Sequence, residues 1–389
     1  MPERGDVKIT ALSAVIVQLP TRREHNWASK MTSPIGRHAI VELRTDVGIV
    51  GWGEAPAGAT WGGAAMRYYG ETPETVCHLV EDYLAPALVG QDPADIGPIH
   101  RLMDKAVKGH PYAKAAVDIA CYDAAGKALG VNVATLLGGR QRAGVEVAHS
   151  LGIMPVDRCL EEAEQAVGEG ARTIKCKTGL DPERDVTLVA ELRRRVGDGV
   201  RIRVDANEGY RSVAEAVRTT RAQEDYGLFL CEQPLAGARA LAQVAARIDT
   251  PVMADESAWT VEDILEIHAL GAASVISCYV TKPGGLYRAR QQAELAERLG
   301  IACDVGGSIE TGIGNAANLA LATALVDVLP SVCPVSKPAG ADGPAIAGVY
   351  YSDDLVTEPF AFAEGTVMAP LGPGLGIEVD REKLKRYRE

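Results

Sequence analysis

The sequence predicts an α/β protein built on a (β/α)8-type barrel with a smaller α+β domain attached. Three observations lead there. At 389 residues the chain exceeds what one small core needs. From about Val145 onward, strand-like and helix-like runs alternate over roughly 200 residues, the rhythm and size of a barrel. No strand candidate is followed by a G-x-G-x-x-G loop opening a helix, so a doubly wound open sheet is the weaker rival.

The elements follow in order. "ITALSAVIVQL" and "HAIVELRTDVGIVGWGEA" alternate as half-buried strands, with Thr45-Asp46-Val47-Gly48 as a hairpin turn. Two loops, 21–37 and 56–72, carry a mixed cationic and aromatic set: Arg22, Arg23, His25, Trp27, Lys30, Trp61, Arg67 and Tyr68. That set suits a flap over an acid with an apolar or ring portion. "PETVCHLVEDYLAPALVG" and "AKAAVDIACYDAAGKALG" read as helices ending at Gly. The barrel strands are "VEVAHSLG", "RTIKCKTG", "RIRVDANEG", "LFLCEQPL", "PVMADES", "SVISCYV", "IACDVGG" and a weak eighth near "SVCPVSKP". The expected division is 1–135 for the cap, 136–350 for the barrel and 351–389 for a segment returning to the cap.

Composition narrows the function classes. A formal net charge of −12 argues against nucleic-acid or acidic-membrane partners, and leaves room for a small-molecule carboxylate in a locally positive site. No apolar run reaches the roughly 20 residues of a membrane span, and the start lacks a signal-peptide pattern. The eight cysteines are scattered without a C-x-x-C pair, which predicts reduced thiols and a cytoplasmic setting.

In barrels the C-terminal strand ends build the active site. An acid ends each of three successive strands, in "RVDAN", "CEQP" and "ADES": Asp205, Glu232 and Asp255. A single strand-end Asp is more often a helix cap. Three converging on one mouth would repel one another without a cation between them. Oxygen-only donors favour a hard ion, Mg²⁺ or Mn²⁺ in its place. Asn207 and Glu256 would orient these ligands.

One strand earlier, "TIKCKTG" places Lys175 and Lys177 on one face, because side chains two apart in a strand point the same way. A buried pair of ammonium groups is costly unless it has a use. Beside a metal-bound carboxylate the use is proton transfer at the acidified α-carbon, through an enediolate. Lys177 would be the base, with Lys175 lowering its pKa from the usual value of about 10.4 and helping to hold substrate. A metal-free Schiff-base lyase and a non-catalytic carboxylate-binding barrel are the competing classes.

These residues resemble the enolase superfamily, specifically the mandelate racemase/muconate lactonizing enzyme family and its muconate-cycloisomerase-like subgroup. The resemblance runs through "AKAAVDIACYDAAGKALG", "KCK", "DAN", "CEQP", "ADES" and "GGSIETGIGNAAN". It implies a modified (β/α)7β TIM-type barrel under a two-part cap, Asp205, Glu232 and Asp255 as Mg²⁺ ligands, and Lys177 as base. It also implies N-terminal loops that close on substrate, and a homo-oligomer, dimer or octamer.

One departure bears on the reaction. The subgroup usually carries a further Lys five positions before a Gly pair on the sixth strand; here Tyr279 stands five before Gly284. Lys282 lies three residues later and, on a regular strand, would face the other way. Tyr279 is therefore expected in the second acid/base slot, with Lys282 structural below the mouth or, if the strand bulges, in the slot itself. One strong base suits cycloisomerisation or β-elimination by a lyase or dehydratase. The alternative is a racemase or epimerase of an amino-acid derivative, or an o-succinylbenzoate-synthase-like activity, to which "GGSIETGIG" is similar. Glu310 is a further candidate proton partner, and His149, Asn207, Trp27 and Trp61 are candidate substrate contacts.

Overall fold

The computed structural model describes residues 7–28, 35–61 and 70–389. Lys30, Arg67 and Tyr68 of the two N-terminal loops lie outside them. Three antiparallel strands come first: β1 (Ile9–Gln18), β2 (Arg37–Thr45) and β3 (Val50–Ala55). Gly48, at φ +79°, supplies the left-handed turn residue between β2 and β3.

The helix Pro111–Leu129 lies directly on β3. A Cβ at Gly53 would stand 1.8 Å from the Ala116 carbonyl oxygen, and one at Gly51 would stand 2.1 Å from that of Ala120. The two glycines of "GWG" thus allow strand and helix backbones to touch. This helix is buried on nearly every face from Tyr112 to Gly126 because the barrel covers its other side. There Asp118 accepts a hydrogen bond from Leu286 N (2.6 Å) at the start of the helix Leu286–Arg298. Gly285 sits at φ +128°, where a Cβ would come 2.3 Å from Asp118 Cγ, so the Gly pair marks a cap–barrel seam.

A short strand β4 (Gly144–Glu146) then leads into the barrel strands β5 (Ala148–Leu151), β6 (Thr173–Lys177), β7 (Arg201–Asp205), β8 (Leu228–Glu232), β9 (Val252–Ala254), β10 (Val275–Ser277) and β11 (Ala302–Asp304). Each is parallel to the next, in sequential order. These strands are buried on both faces, and the polar residues they carry, in "TIKCK" and "RIRVD" above all, are therefore buried as well. Segment 329–331 joins the ends of this sheet as backbone bonds rather than as a full strand. Leu329 N donates to Cys303 O (2.9 Å), Ser331 N to Glu146 O (2.8 Å), and Ala148 N to Ser331 O (2.8 Å). The weak eighth strand is thereby reduced to a single bridge.

Three of the surrounding helices start at side-chain caps. Asp181, Ser212 and Thr260 accept from the first-turn amides of Pro182–Val196, Val213–Glu224 and Val261–Leu270. The C-terminal segment forms β12 (Phe362–Ala363) and β13 (Thr366–Met368) against β4, then returns to β1. There Gln18 N donates to Tyr387 O (2.8 Å) and Glu389 N to Ile16 O (3.0 Å). Among the described residues no helix is long and apolar enough to cross a membrane.

Candidate active site

Parallel register brings the chemistry together. Lys177 pairs with Asp205 and Asp205 with Glu232 across β6, β7 and β8, so three strand ends deliver a lysine and two acids side by side. Lys175 Nζ sits 2.8 Å from both Asp205 Oδ2 and Glu232 Oε1. Lys177 Nζ donates to Asp205 Oδ2 (2.6 Å) and to Asn207 Oδ1 (2.8 Å). Burial alone would lower the Lys175 pKa, but the carboxylates of Asp205 and Glu232 outweigh it and the net direction is upward. Lys175 is thus a fixed cation among the acids.

These partners do not satisfy every acid oxygen. Asp205 and Glu232 are fully buried. Glu232 Oε2 accepts no hydrogen bond, with the Arg203 guanidinium 3.4 Å away. Burial first, and then the Asp205 charge, push the Glu232 carboxyl up to about 7. Asp255 accepts from Lys282 Nζ at Oδ1 (2.7 Å) and from Tyr279 OH at Oδ2 (3.1 Å). Among the described residues no three His, Cys, Asp or Glu side chains are gathered in a metal-holding group; Lys175 and Lys282 lie against the carboxylates instead. The donor set itself fits a hard divalent cation: three buried carboxylates, one oxygen that accepts no hydrogen bond, and no His or Cys ligand.

Around them the loops are held in uncommon backbone conformations. Asn207, Glu208 and Gln233 all have positive φ, at 42°, 63° and 37°. Asn207 bonds Asp205 Oδ1 through its backbone N (2.9 Å) and Glu256 Oε1 through Nδ2 (2.8 Å). Gln233 Oε1 accepts from Asp255 N (2.8 Å), which sets the third acid. Asn207 and Trp27 line the pocket, where Trp27 also covers Lys177 at 5.8 Å from ring centroid to Nζ. Trp61 lines it too, packed on Tyr112 at 5.7 Å between centroids.

Lys282 differs from the expectation drawn from strand alternation. β10 ends at Ser277, so the two-residue period cannot be carried on to 282. The chain turns, and Lys282 reaches the pocket wall beneath the Tyr279 ring, 4.4 Å from its centroid. Its three N–H donors are all spent, on Asp255 Oδ1, Asp255 O (2.9 Å) and Ser277 O (2.8 Å). Tyr279 lines the pocket beside it, with its phenol held well above its usual pKa by burial and then by Asp255.

His149 is not brought to the pocket. It pairs with Ile174, while its neighbour Ser150 pairs with Lys175, so the two side chains take opposite faces. His149 Nε2 bonds Glu162 Oε1 (3.0 Å) and its Nδ1 accepts from Gly348 N (3.1 Å), a buried structural role. Glu310 lies behind the pocket wall formed by Gly307, Ser308 and Ile309. Its Oε1 accepts from Ser308 N (3.0 Å), its Oε2 has no partner, and burial lifts its carboxyl to about 8.

Sequence reasoning missed Tyr112, Trp259 and Tyr350, which line the pocket from a helix start, a helix-capping turn and the end of the barrel segment. It also missed Arg203, fully buried between Asp304 (2.9 Å) and Glu232. The one local signal for Arg203 was a charged residue at the centre of "RIRVD".

Comparison with known proteins agrees with this geometry. Residues 11–138 match the family described as mandelate racemase / muconate lactonizing enzyme, N-terminal domain, and residues 158–383 match the enolase C-terminal domain-like family. Muconate cycloisomerase 1 of Rhodococcus opacus is 35% identical over 98% of this chain and 99% of its own. N-succinyl-L-Arg/Lys racemase of Bacillus cereus is 34% identical over 81% of this chain and 84% of its own. The crystal structure of 2-chloromuconate cycloisomerase from Rhodococcus opacus superposes with a TM-score of 0.88 at 31% identity, covering 98% of this chain and 99% of that one. The chain belongs to the mandelate racemase/muconate lactonizing enzyme family of the enolase superfamily.

Proposed function

We propose that this enzyme moves a proton at the α-carbon of a small carboxylate, with Lys177 as the working base and acid, as a muconate-cycloisomerase-like isomerase or a lyase. The observation that carries this reading is the unequal state of the pocket's lysines. Lys282 has spent all three donors and Lys175 is locked between two carboxylates. Lys177 uses two donors on Asp205 and Asn207, and among the described residues its third is left for the pocket.

Asp205, Glu232 and Asp255 would hold Mg²⁺, or Mn²⁺ in its place. Bound there, the ion supplies positive charge that favours the enediolate form of a substrate carboxylate. Lys175 adds a fixed positive charge on the same side. Asn207 holds Lys177 Nζ in line with the strand end. Trp27, Trp61, Trp259 and Tyr350 exclude water from the apolar part of the substrate. In cycloisomerisation one carboxylate oxygen adds to the conjugated diene, electron density moves onto the other carboxylate, and the Lys177 ammonium delivers a proton, replenished from solvent, to the α-carbon of that carboxylate. In a β-elimination neutral Lys177 takes the α-proton and the β-substituent leaves with its bonding pair.

The second face is held by Tyr279. β6 and β10 are the second and sixth staves of the ring, half a barrel apart. A phenol of ordinary pKa about 10 is a poor base, and the Tyr279 O–H is already given to Asp255 Oδ2 (3.1 Å), so the pair is unsymmetrical. That argues against fast racemisation. The similarity to N-succinyl-L-Arg/Lys racemase keeps epimerisation of an acylated amino acid as the second reading. The eight unpaired cysteines support a reducing, cytoplasmic setting, and assembly as a dimer or octamer belongs to the same reading. Incubation with cis,cis-muconate and with N-succinyl-L-arginine, each with Mg²⁺, separates these outcomes. Lactone formation without racemisation is expected. Fast racemisation of N-succinyl-L-arginine that Tyr279→Phe abolishes would overturn the one-base reading.

A further inference from the structure

Glu162 lies on the helix Val156–Gly168, outside the pocket, yet its carboxylate gathers three cationic or polar partners. Arg22 Nη2 donates to Oε1 (2.7 Å), Arg23 bonds both oxygens through Nε (2.7 Å) and Nη2 (2.8 Å), and His149 Nε2 lies 3.0 Å from Oε1. The Arg23 contact is bidentate, the geometry that fixes a guanidinium most firmly. These bonds tie the loop ahead of β2 to the barrel, and the same loop carries His25 and Trp27 over the pocket. A backbone bond from Ile153 N to Asn26 O (2.8 Å) adds to the tie.

Arg23 has a further consequence for His25. Its Nη1 lies 3.0 Å from His25 Nδ1. A guanidinium only donates, so Nδ1 must accept, and the ring is neutral with its proton on Nε2. His25 and Ser150 both line the pocket, and the one Nε2–H meets only Ser150 Oγ at 3.5 Å, the outer limit of a hydrogen bond, which a ligand acceptor at better distance can replace. Burial, followed by the Arg23 charge, also holds the His25 pKa well below its usual value.

We infer that Glu162 and Arg23 are positioning residues that lock His25 as a neutral Nε2–H donor on the β5 side of the pocket, where it selects substrates bearing an oxygen acceptor. The acceptor is a second carboxylate or an acyl carbonyl, distinct from the carboxylate at which the proton moves. This rests on the carboxylate reading of the pocket. The recognising bond is neutral on the protein side and bears on binding, since His25 moves no proton.

The test joins a spectroscopic and a kinetic readout on the full chain. With ¹⁵N-labelled histidine, His25 is assigned among the seven histidines by its loss in His25→Gln. It should show the Nε2–H tautomer at neutral pH, and Glu162→Gln and Arg23→Gln should each shift it to a tautomer mixture. An Nδ1–H tautomer or an imidazolium in the wild type would overturn the inference without any substrate. With cis,cis-muconate and N-succinyl-L-arginine as probes, His25→Phe should raise KM about 10-fold or more with kcat within about 2-fold. His25→Gln, which keeps a donor near the Nε2 position, should recover most of that loss. Equal KM values for the Phe and Gln variants would overturn it. If the wild type turns over neither probe, the carboxylate reading fails, and the tautomer result still decides on the lock.

Discussion

Replacing Lys282 with Met tests how the acid cluster is held together. The buried ammonium donates to Asp255 Oδ1, Asp255 O and Ser277 O, and Asp255 itself is only 6% exposed. Met keeps the stem volume against the Tyr279 and Trp259 rings and removes only the charge and its three bonds. Asp255 is then left with the Tyr279 hydroxyl as side-chain donor. Breaking one side of a buried ion pair typically costs about 3–5 kcal/mol. For 389 residues the unfolding entropy is about 0.8 kcal/mol/K, so the expected fall in melting temperature is about 4–6 °C. The melt is run in EDTA, because a cation at Asp255 would replace the lost charge. A Lys282→Met melting temperature within about 1 °C of wild type would refute the claim that this lysine is a structural counter-charge.

Mg²⁺ should raise the wild-type melting temperature relative to EDTA, by about 2.7 kcal/mol of stability at a hundredfold excess over its dissociation constant, and Glu232→Gln should remove most of that gain. Glu310 sets a pH dependence. Its carboxyl titrates at about 8 in the folded protein against an ordinary value of about 4.5, so between those values the folded state holds a proton that the unfolded chain has released. Its contribution to stability therefore falls as pH rises through that window. Glu310→Gln should flatten the stability profile between about pH 4.5 and 8, read by urea denaturation. Gly285→Ala puts a Cβ 2.3 Å from Asp118 Cγ at φ +128°, and should cost at least about 2 kcal/mol in the same assay.

The acid series and the K-x-K pair were legible because each rests on one strand end and a short local pattern. β7 and β8 end at Asp205 and Glu232, and β6 contains both lysines. Lys282 was not legible, since the alternation rule depends on where a strand stops and nothing local marks Ser277 as the end of β10. The face of His149 was harder to read: adjacent strand residues take opposite faces, and only the register that pairs Ser150 with Lys175 shows that His149 points away from the mouth. The aromatic wall is non-local. Tyr112, Trp259 and Tyr350 arrive from three separate parts of the chain, and only the packing of cap on barrel brings them together. The Arg23–Glu162 tie has the same character, joining residues 139 positions apart. The helical run from Pro73 was legible as helix, but not its π-turn at Val80–Leu84.

Proton exchange at carbon tests the central claim most directly. A set of small carboxylates is incubated with the Mg²⁺-loaded enzyme in D₂O, and α-deuteration is followed by NMR for wild type, Lys177→Ala and Tyr279→Phe. Wild type should incorporate deuterium, Lys177→Ala should lose that exchange by a factor of about 10³ or more, and Tyr279→Phe should keep it. Exchange that persists in Lys177→Ala would contradict the assignment of Lys177 as the base.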